Sequence, residues 1–360
     1  MRVRFDAQTF MRQRFGGISR YFTTLIAELD AAPELGIEPV VDFTWTPNAY
    51  AARHLAARGV RAIDPRVPRA VPYGWAWLRA PFGQSPADAV HQTYYSARFL
   101  AAPEGTRRVV TVHDMIPERL AGTDGFTSSH LAKRRYVDDA DLVVCVSEST
   151  RADLLDLWGP LRAPAVVVPL AVGPAFAPGL APVPGLPADY VLYSGARRGY
   201  KDFLLLVDAL AALRADGLDV PLVVAGGSLT RAEADAFARR GPAPVVLEHP
   251  SDDQLARAVS AAALVVQTSR YEGFGLATLE AMASGVPAVA ADAGPMREVG
   301  GDVVEYFRPG DGADLARAMG RVLGDPSVRE RMARLGPPRA ALFSGRRLAE
   351  SMAAAYRLMD

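Results

Sequence analysis

The sequence predicts an α/β protein built from two doubly wound parallel sheets, one in each half of the chain. Three observations carry this. Short apolar runs of strand length alternate with amphipathic segments of helix length through both halves. Residues 171–188 are rich in Pro and Gly and separate two complete rounds of that alternation, which makes them the linker candidate. The run Ala263-Leu264-Val265-Val266 passes through Glu272-Gly273-Phe274-Gly275 into a helical pattern that stops at Gly285-Val286-Pro287, the strand–turn–helix–strand unit of a parallel sheet. The expected domains are therefore 1–170 and 189–345, with a final amphipathic helix over 346–360.

Composition narrows the function classes. The chain has 360 residues, 50% hydrophobic and 22% charged, enough for two ordinary cores. Forty basic and forty acidic side chains balance, and no Lys/Arg run forms an arm, so no nucleic-acid partner is expected. A single cysteine, Cys145, excludes an internal disulfide and a multi-cysteine metal site. It sits in Leu142-Val143-Val144-Cys145-Val146 and reads as a buried strand residue, not a nucleophile. Met1-Arg2-Val3-Arg4-Phe5-Asp6 lacks the apolar core of a signal peptide. No apolar run approaches the roughly 18 residues of a membrane span. The expectation is a cytoplasmic protein, at most peripheral at the inner face of the membrane.

In the first half, strands are expected at Val3–Phe5, Pro39–Phe43, Ala89–His91, Arg108–Val112, Leu142–Val146 and Ala165–Pro169. Ser19 reads as the N-cap of a helix over Tyr21–Leu29, just after Gly16-Gly17, a pair that admits a ligand to the backbone or makes a tight corner. Residues 46–60 read as helical and then loop-like. The Tyr73–Trp77 aromatic cluster beside Arg79 suits either a packed face or a membrane interface. Lys133-Arg134-Arg135, in the helical pattern over 127–140, reads as a solvated basic face. Asp139-x-Asp141 looks like a metal-binding carboxylate pair but precedes a strand, the wrong end for a ligand in an open parallel sheet. His113-Asp114 follows the fourth strand, at the end where ligands do bind, so His113 is a candidate site residue.

In the second half, strands are expected at Tyr190–Tyr193, Leu222–Ala225, Val245–Leu247, Leu264–Val266, Ala288–Ala290 and Val303–Glu305. Helical patterns lie around 203–215, 230–240, 252–262, 275–284 and 311–323. Three loops open on the ligand-binding rim of this sheet. The first, Ser194-Gly195-Ala196-Arg197-Arg198-Gly199-Tyr200-Lys201, places cations before a helix N-terminus, which is unfavourable unless an anion arrives. Gly226-Gly227 forms the second. The third, Glu272-Gly273-Phe274-Gly275-Leu276, offers backbone N–H groups at a helix start. In that helix Leu276, Leu279 and Ala283 share a face by 3.6 periodicity, and Glu280 borders it. Glu280 reads as a ligand contact or as a helix-flank carboxylate with a local arginine.

These pieces resemble retaining glycosyltransferases of the GT-B type, in the large bacterial group 1 (family four) that includes mannosyltransferases of lipopolysaccharide O-antigen and exopolysaccharide synthesis. The resemblance rests on Gly16-Gly17-Ile18-Ser19-Arg20-Tyr21-Phe22, Val112-His113-Asp114-Met115-Ile116-Pro117, Val146-Ser147, Gly195 to Lys201, and Tyr271-Glu272-Gly273-Phe274-Gly275-Leu276 through Glu280-Ala281-Met282-Ala283. It implies two Rossmann-like domains facing across a cleft, with the last helix packing back on the first. It also implies roles. Arg197 and Lys201 hold the donor diphosphate, with Arg198 as a substitute for Arg197. Glu272 contacts hydroxyls of the transferred sugar. The backbone of Gly273, Phe274, Gly275 and Leu276 meets sugar or phosphate, together with the Gly195 and Gly226 loops. Glu280 binds the ribose. His113 lies near the anomeric centre, and Gly16 and Gly17 approach the phosphate. Gly345 stands where the family often carries Trp, which bears on the docking of the last helix.

The implied reaction moves a hexose from a nucleotide-diphosphate sugar, GDP-mannose first and UDP-sugars next, to a saccharide or lipid-linked saccharide. It retains anomeric configuration and uses no metal or other cofactor, because protein cations and helix N–H groups stabilise the leaving phosphate. Two rivals stand beside it: a nucleotide-sugar epimerase of the same fold, and a catalytically silent subunit of a glycan-assembly complex. A dinucleotide oxidoreductase is disfavoured, since no G-x-G-x-x-G follows a strand with an acid about 20 residues on.

Overall fold

The computed structural model describes residues 1–12, 14–64, 85–96, 102, 104–120, 128–197 and 199–359, with the backbone alone for 128–131. Its contacts divide the chain into two compact units, Met1–Ala171 with Gly345–Asp360, and Val172–Ser344. The Tyr73–Trp77 cluster lies outside the described residues.

Unit 1 contains strands β1 (Arg2–Phe5), β2 (Glu38–Val41), β3 (Trp45–Thr46), β4 (Arg61–Ala62), β5 (Ala89–Gln92), β6 (Arg107–Val112), β7 (Leu142–Cys145) and β8 (Ala165–Val167). Six of them form a parallel sheet in the order β2-β1-β5-β6-β7-β8. The order reverses beside β1, which is the switch point of a doubly wound sheet. β3 and β4 pair separately. The core is made where near-continuous apolar strands meet helices, with Val110, Val112, Val143, Cys145, Tyr136 and Leu154 in one cluster. Burial pushes the Cys145 thiol up to about 12, so it is inert packing.

A short helix Gln8–Arg12 follows β1, and the next runs Gly17–Ala31, starting three residues earlier than Ser19 as N-cap requires. Gly16 is the cap, and Ser19 Oγ donates back to its carbonyl at 3.0 Å from inside the first turn. Ser147 does cap the helix Glu148–Trp158, accepting from Thr150 N–H. The final helix, Gly345–Tyr356, begins against Glu28 of the Gly17–Ala31 helix. A Cβ at position 345 would collide with the Glu28 carboxylate, which is why glycine suits this start. Further along, Tyr356 Oη meets His91 Nδ1 at 2.6 Å in the core.

Unit 2 contains β9 (Val191–Ser194), β10 (Leu222–Gly226), β11 (Val245–Glu248), β12 (Leu264–Gln267), β13 (Ala288–Ala291) and β14 (Glu305–Phe307). They form a second parallel sheet, β11-β10-β9-β12-β13-β14, with its switch point between β9 and β12. The helices Phe203–Ala215, Arg231–Arg240, Asp252–Ser260, Leu276–Ala283 and Gly312–Gly324 fall where the periodicity puts them. Thr230/Glu233 and Ser251/Gln254 make capping boxes that start two of them.

Three details differ from expectation. Residues 172–188 belong to unit 2: Phe176 and Val183 are buried, and Arg257 donates to the carbonyls of Ala181 and Pro182, each at 2.7 Å. Proline and glycine shape that path, but its apolar side chains anchor it. The last strand lies at Glu305–Phe307, after the Val303-Val304 run, because Gly300 packs against Val304 in the preceding turn. A helix at Pro326–Ala340 was masked in sequence by Pro337 and Pro338 within it. It starts on Asp325 as N-cap with proline in its first turn, and Gly336 lets it approach the carbonyl of Met282.

Candidate functional site

The unit 2 site is built on the strand ends either side of the switch point. β9 delivers the loop 195–202, β10 delivers Gly226-Gly227, and β12 delivers the loop 268–275. Lys201 and Glu272 meet across the switch point, Nζ to Oε1 at 2.5 Å, both largely buried. Gln267 Nε2 donates to the same Glu272 oxygen, also at 2.5 Å.

Gly275 caps the helix Leu276–Ala283 at φ +102 with no side-chain cap bond, so the first-turn N–H groups are not closed off by a capping side chain. A Cβ there would sit 2.8 Å from Met296 Sδ. Glycine is needed both for the left-handed backbone and for that close approach. Gly273, Phe274 and Leu276 flank the same turn, and the Phe274 ring stands edge-on to Phe343, 5.7 Å between centroids. Glu280 is on the second turn of this helix and only 3% exposed, which settles its inward placement.

Arg197 has protein partners on both neighbouring loops. Its guanidinium bonds Glu233 through Nε at 2.9 Å, and the carbonyls of Gly227 and Ser228 through one terminal nitrogen at 2.9 and 2.7 Å. It therefore ties the Gly195 loop to the Gly226 loop, with Nε and one terminal nitrogen engaged by protein acceptors. The two loops are close enough that a Cβ at Gly226 would lie 3.0 Å from the Gly195 carbonyl. Arg198, its expected substitute, lies outside the described residues.

In unit 1, Gly16 and Gly17 open the helix whose Tyr21 and Phe22 rings pack edge-on against His113, at 5.5 and 5.7 Å between centroids. The glycine pair and the histidine are thus neighbours by one helical turn. The His113 N–H donates to Tyr95 Oη at 3.1 Å. His113 Nε2 is buried with no hydrogen-bond partner among the described residues. Burial, reinforced by the charge of Lys133, lowers the imidazole to about 3, so it is neutral at physiological pH.

Lys133 corrects the expectation of a solvated basic face. It is 0% exposed, and its ammonium donates to the Asp114 carbonyl and to Glu118 Oε2, each at 2.9 Å. Periodicity carried the signal: Tyr136, Val137 and Ala140, at three, four and seven residues on, are all buried. Gln267, Thr268 and Glu233 were also missed. Polar residues ending an apolar strand, and a capping-box glutamate, were the available signs. Asp141 accepts the Arg108 N–H at 2.8 Å and so serves a strand start.

Among the described residues no helix is long and apolar enough to cross a membrane. Two family models match in tandem: Glycosyltransferase Family 4 over residues 15–176 and Glycosyl transferases group 1 over 185–337. The chain is similar to the MMP alpha-(1->4)-mannosyltransferase of Mycolicibacterium hassiacum, 37% identical over 29% of this chain and 27% of that one, so it spans about a quarter of that relative's length. It is similar to O-antigen chain mannosyltransferase B of Escherichia coli, 26% identical over 74% of each. Its fold matches Anabaena HepE, solved in complex with UDP and glucose, at a TM-score of 0.75, with 17% identity over 99% of this chain and 100% of that one. With one model on each unit, the chain belongs to the group 1, family four glycosyltransferases of GT-B fold.

Proposed function

We propose that the protein transfers a hexose-type sugar from a nucleotide-diphosphate sugar to a saccharide or lipid-linked saccharide, with retention of configuration. The observation that carries this is the Lys201–Glu272 pair at the switch point, beside the uncapped start of the Leu276–Ala283 helix. A cation and helix N–H groups suit a diphosphate, and an adjacent carboxylate suits sugar hydroxyls. Glu280, buried one turn on, then takes the ribose. No metal is included, because Lys201 and the helix N-terminus supply the counter-charge as the sugar–phosphate bond breaks. The leaving oxygen accepts the acceptor's proton, and no carboxylate nucleophile is required.

The acceptor is assigned to unit 1, which holds His113. A neutral imidazole with an orphaned, buried Nε2 is a hydrogen-bonding group, not a cation. It suits sugar hydroxyls better than phosphate.

GDP-mannose is the favoured donor, because two relatives named as mannosyltransferases align with the chain. A UDP-sugar is next, since the neighbour HepE was solved with UDP. The acceptor is a growing surface glycan, handled at the cytoplasmic face of the membrane. The test is thermal shift with GDP, UDP and ADP, followed by turnover of the matching sugar nucleotides. GDP should raise Tm most, and GDP-mannose should release GDP in the presence of acceptor. If no nucleoside diphosphate raises Tm and no sugar nucleotide is consumed, the proposal falls. Epimer formation from donor alone would replace it with an epimerase.

A further inference from the structure

The Lys201–Glu272 pair is held from beneath by the end of β12, at a place where the β9–β12 ladder has already ended. β9 and β12 are neighbours, but their ladder comprises only Leu264↔Val191 and Val265↔Leu192. It ends two residues short of Gln267 and of Ser194, the last residues of the two strands. β9 stays paired with β10 through Ser194, and β12 with β13 through Gln267, but beyond that point no β9–β12 pairing links the loop that carries Lys201 to the loop that carries Glu272.

Side chains bridge the gap. Thr268, fully buried, donates through Oγ1 to the Lys201 carbonyl at 2.7 Å. Gln267 Nε2 donates to Glu272 Oε1 at 2.5 Å and to Ser269 Oγ at 3.1 Å. Lys201 Nζ returns to the same Glu272 oxygen. Lys201, Glu272, Gln267 and Thr268 thus form a closed ring of one peptide bond and three hydrogen bonds or ion pairs. Gln267 ends β12 and Thr268 follows it directly, and this two-residue step reaches its own loop and the neighbouring loop together.

Outside the ring, Arg270 repeats the bridge. Its N–H donates to the Tyr200 carbonyl at 2.8 Å and its Nε to Asp202 at 2.7 Å. Asp202 is held at φ +51, a left-handed conformation that costs a non-glycine residue energy and persists only where neighbours enforce it.

We propose that Gln267 and Thr268 are positioning residues that replace the missing ladder. They present the Lys201 ammonium and the Glu272 carboxylate to the sugar nucleotide as one preset pair. This rests on the donor reading above. Neither residue touches substrate; Gln267 acts through Glu272 and Thr268 through the Lys201 backbone.

The experiment compares Thr268→Val, Thr268→Ser and Gln267→Leu with the wild-type full chain. It measures kcat and KM for GDP-mannose and UDP-glucose, affinity for GDP and UDP by calorimetry, and Tm. Thr268→Val and Gln267→Leu are near-isosteric and each removes one positioning bond. Each is expected to lower kcat about tenfold while nucleotide affinity changes less than about threefold. Thr268→Ser keeps the hydroxyl and should restore kcat to within about twofold of wild type. A merely structural role would lower Tm and leave kcat per folded molecule alone, which overturns the proposal. So would wild-type kcat in both isosteric variants, or Thr268→Ser as impaired as Thr268→Val. If Thr268→Val does not fold, Gln267→Leu decides by the same criteria. Should the wild type bind no nucleotide and consume no donor, the donor reading itself fails, a result distinct from a normal Thr268→Val.

Discussion

Lys201 and Glu272, 71 residues apart in the chain, share a 2.5 Å contact over the switch point of the second sheet. Each neutralises the other in a partly water-excluded setting, and the proposed transfer assigns Lys201 to the diphosphate and Glu272 to the sugar.

Lys201→Met and Glu272→Gln should therefore each reduce sugar-nucleotide turnover by about 100-fold or more while the chain stays folded. The double variant should fall much less than the product of the two, because residues acting as a unit are not additive. Steady-state kinetics of nucleotide release, with circular dichroism for folding, tests both. Near-normal turnover in both single variants would remove the pair from the mechanism.

Lys133→Met should destabilise the protein by about 3 kcal/mol, because it leaves the Glu118 carboxylate in a largely buried place without its ammonium partner. Adding Glu118→Gln should recover most of that loss. Urea denaturation of the two variants decides. A double variant no better than Lys133→Met would mean that the ammonium's bond to the Asp114 carbonyl, not the charge pair, dominates.

Acid should destabilise unit 1 through its buried histidines. His91 and His113 are both lowered by burial from 6.5 to about 3. Between those values the unfolded chain binds more protons than the folded one, so stability is held above about pH 6.5 and lost as pH falls towards 3. Asp6 works against this above 3.8, since burial raises its carboxyl. His91→Gln should flatten the acid limb of a Tm-against-pH curve relative to wild type. A limb of unchanged slope would show that His91 is not one of the groups taking up the proton.

Gly275→Ala should cost about 1–3 kcal/mol and weaken nucleotide binding, through the positive φ as well as the Met296 contact. Met296→Ala in the same chain makes room for the new methyl but leaves the backbone strained. Calorimetric Tm should thus recover only in part; full recovery would assign the cost to sterics alone.

Much of this was legible in the sequence. Alternating apolar runs placed most strands of both sheets, because a parallel strand buried on both faces must be continuously apolar. The Glu272–Leu276 turn, the Lys201 loop and His113 were legible because ligand loops of an open sheet follow strand ends. The proposed use of a sugar nucleotide came with the resemblance those motifs carry. Only the tertiary structure decided which charges are internal. In a linear reading Lys133 is a solvated cation and Arg197 a diphosphate ligand; Glu118 and Glu233 pair with them inside their own units. It also decided that Gln267 and Thr268 matter, because their importance lies in where the β9–β12 ladder stops. The sequence determines which residues can form strands, caps and anion-ready turns, since those are short-range properties of the chain. Pairings across 71 residues between Lys201 and Glu272, or 15 between Glu118 and Lys133, depend on how strands are ordered in the sheet and how helices pack on it. No local pattern encodes that order.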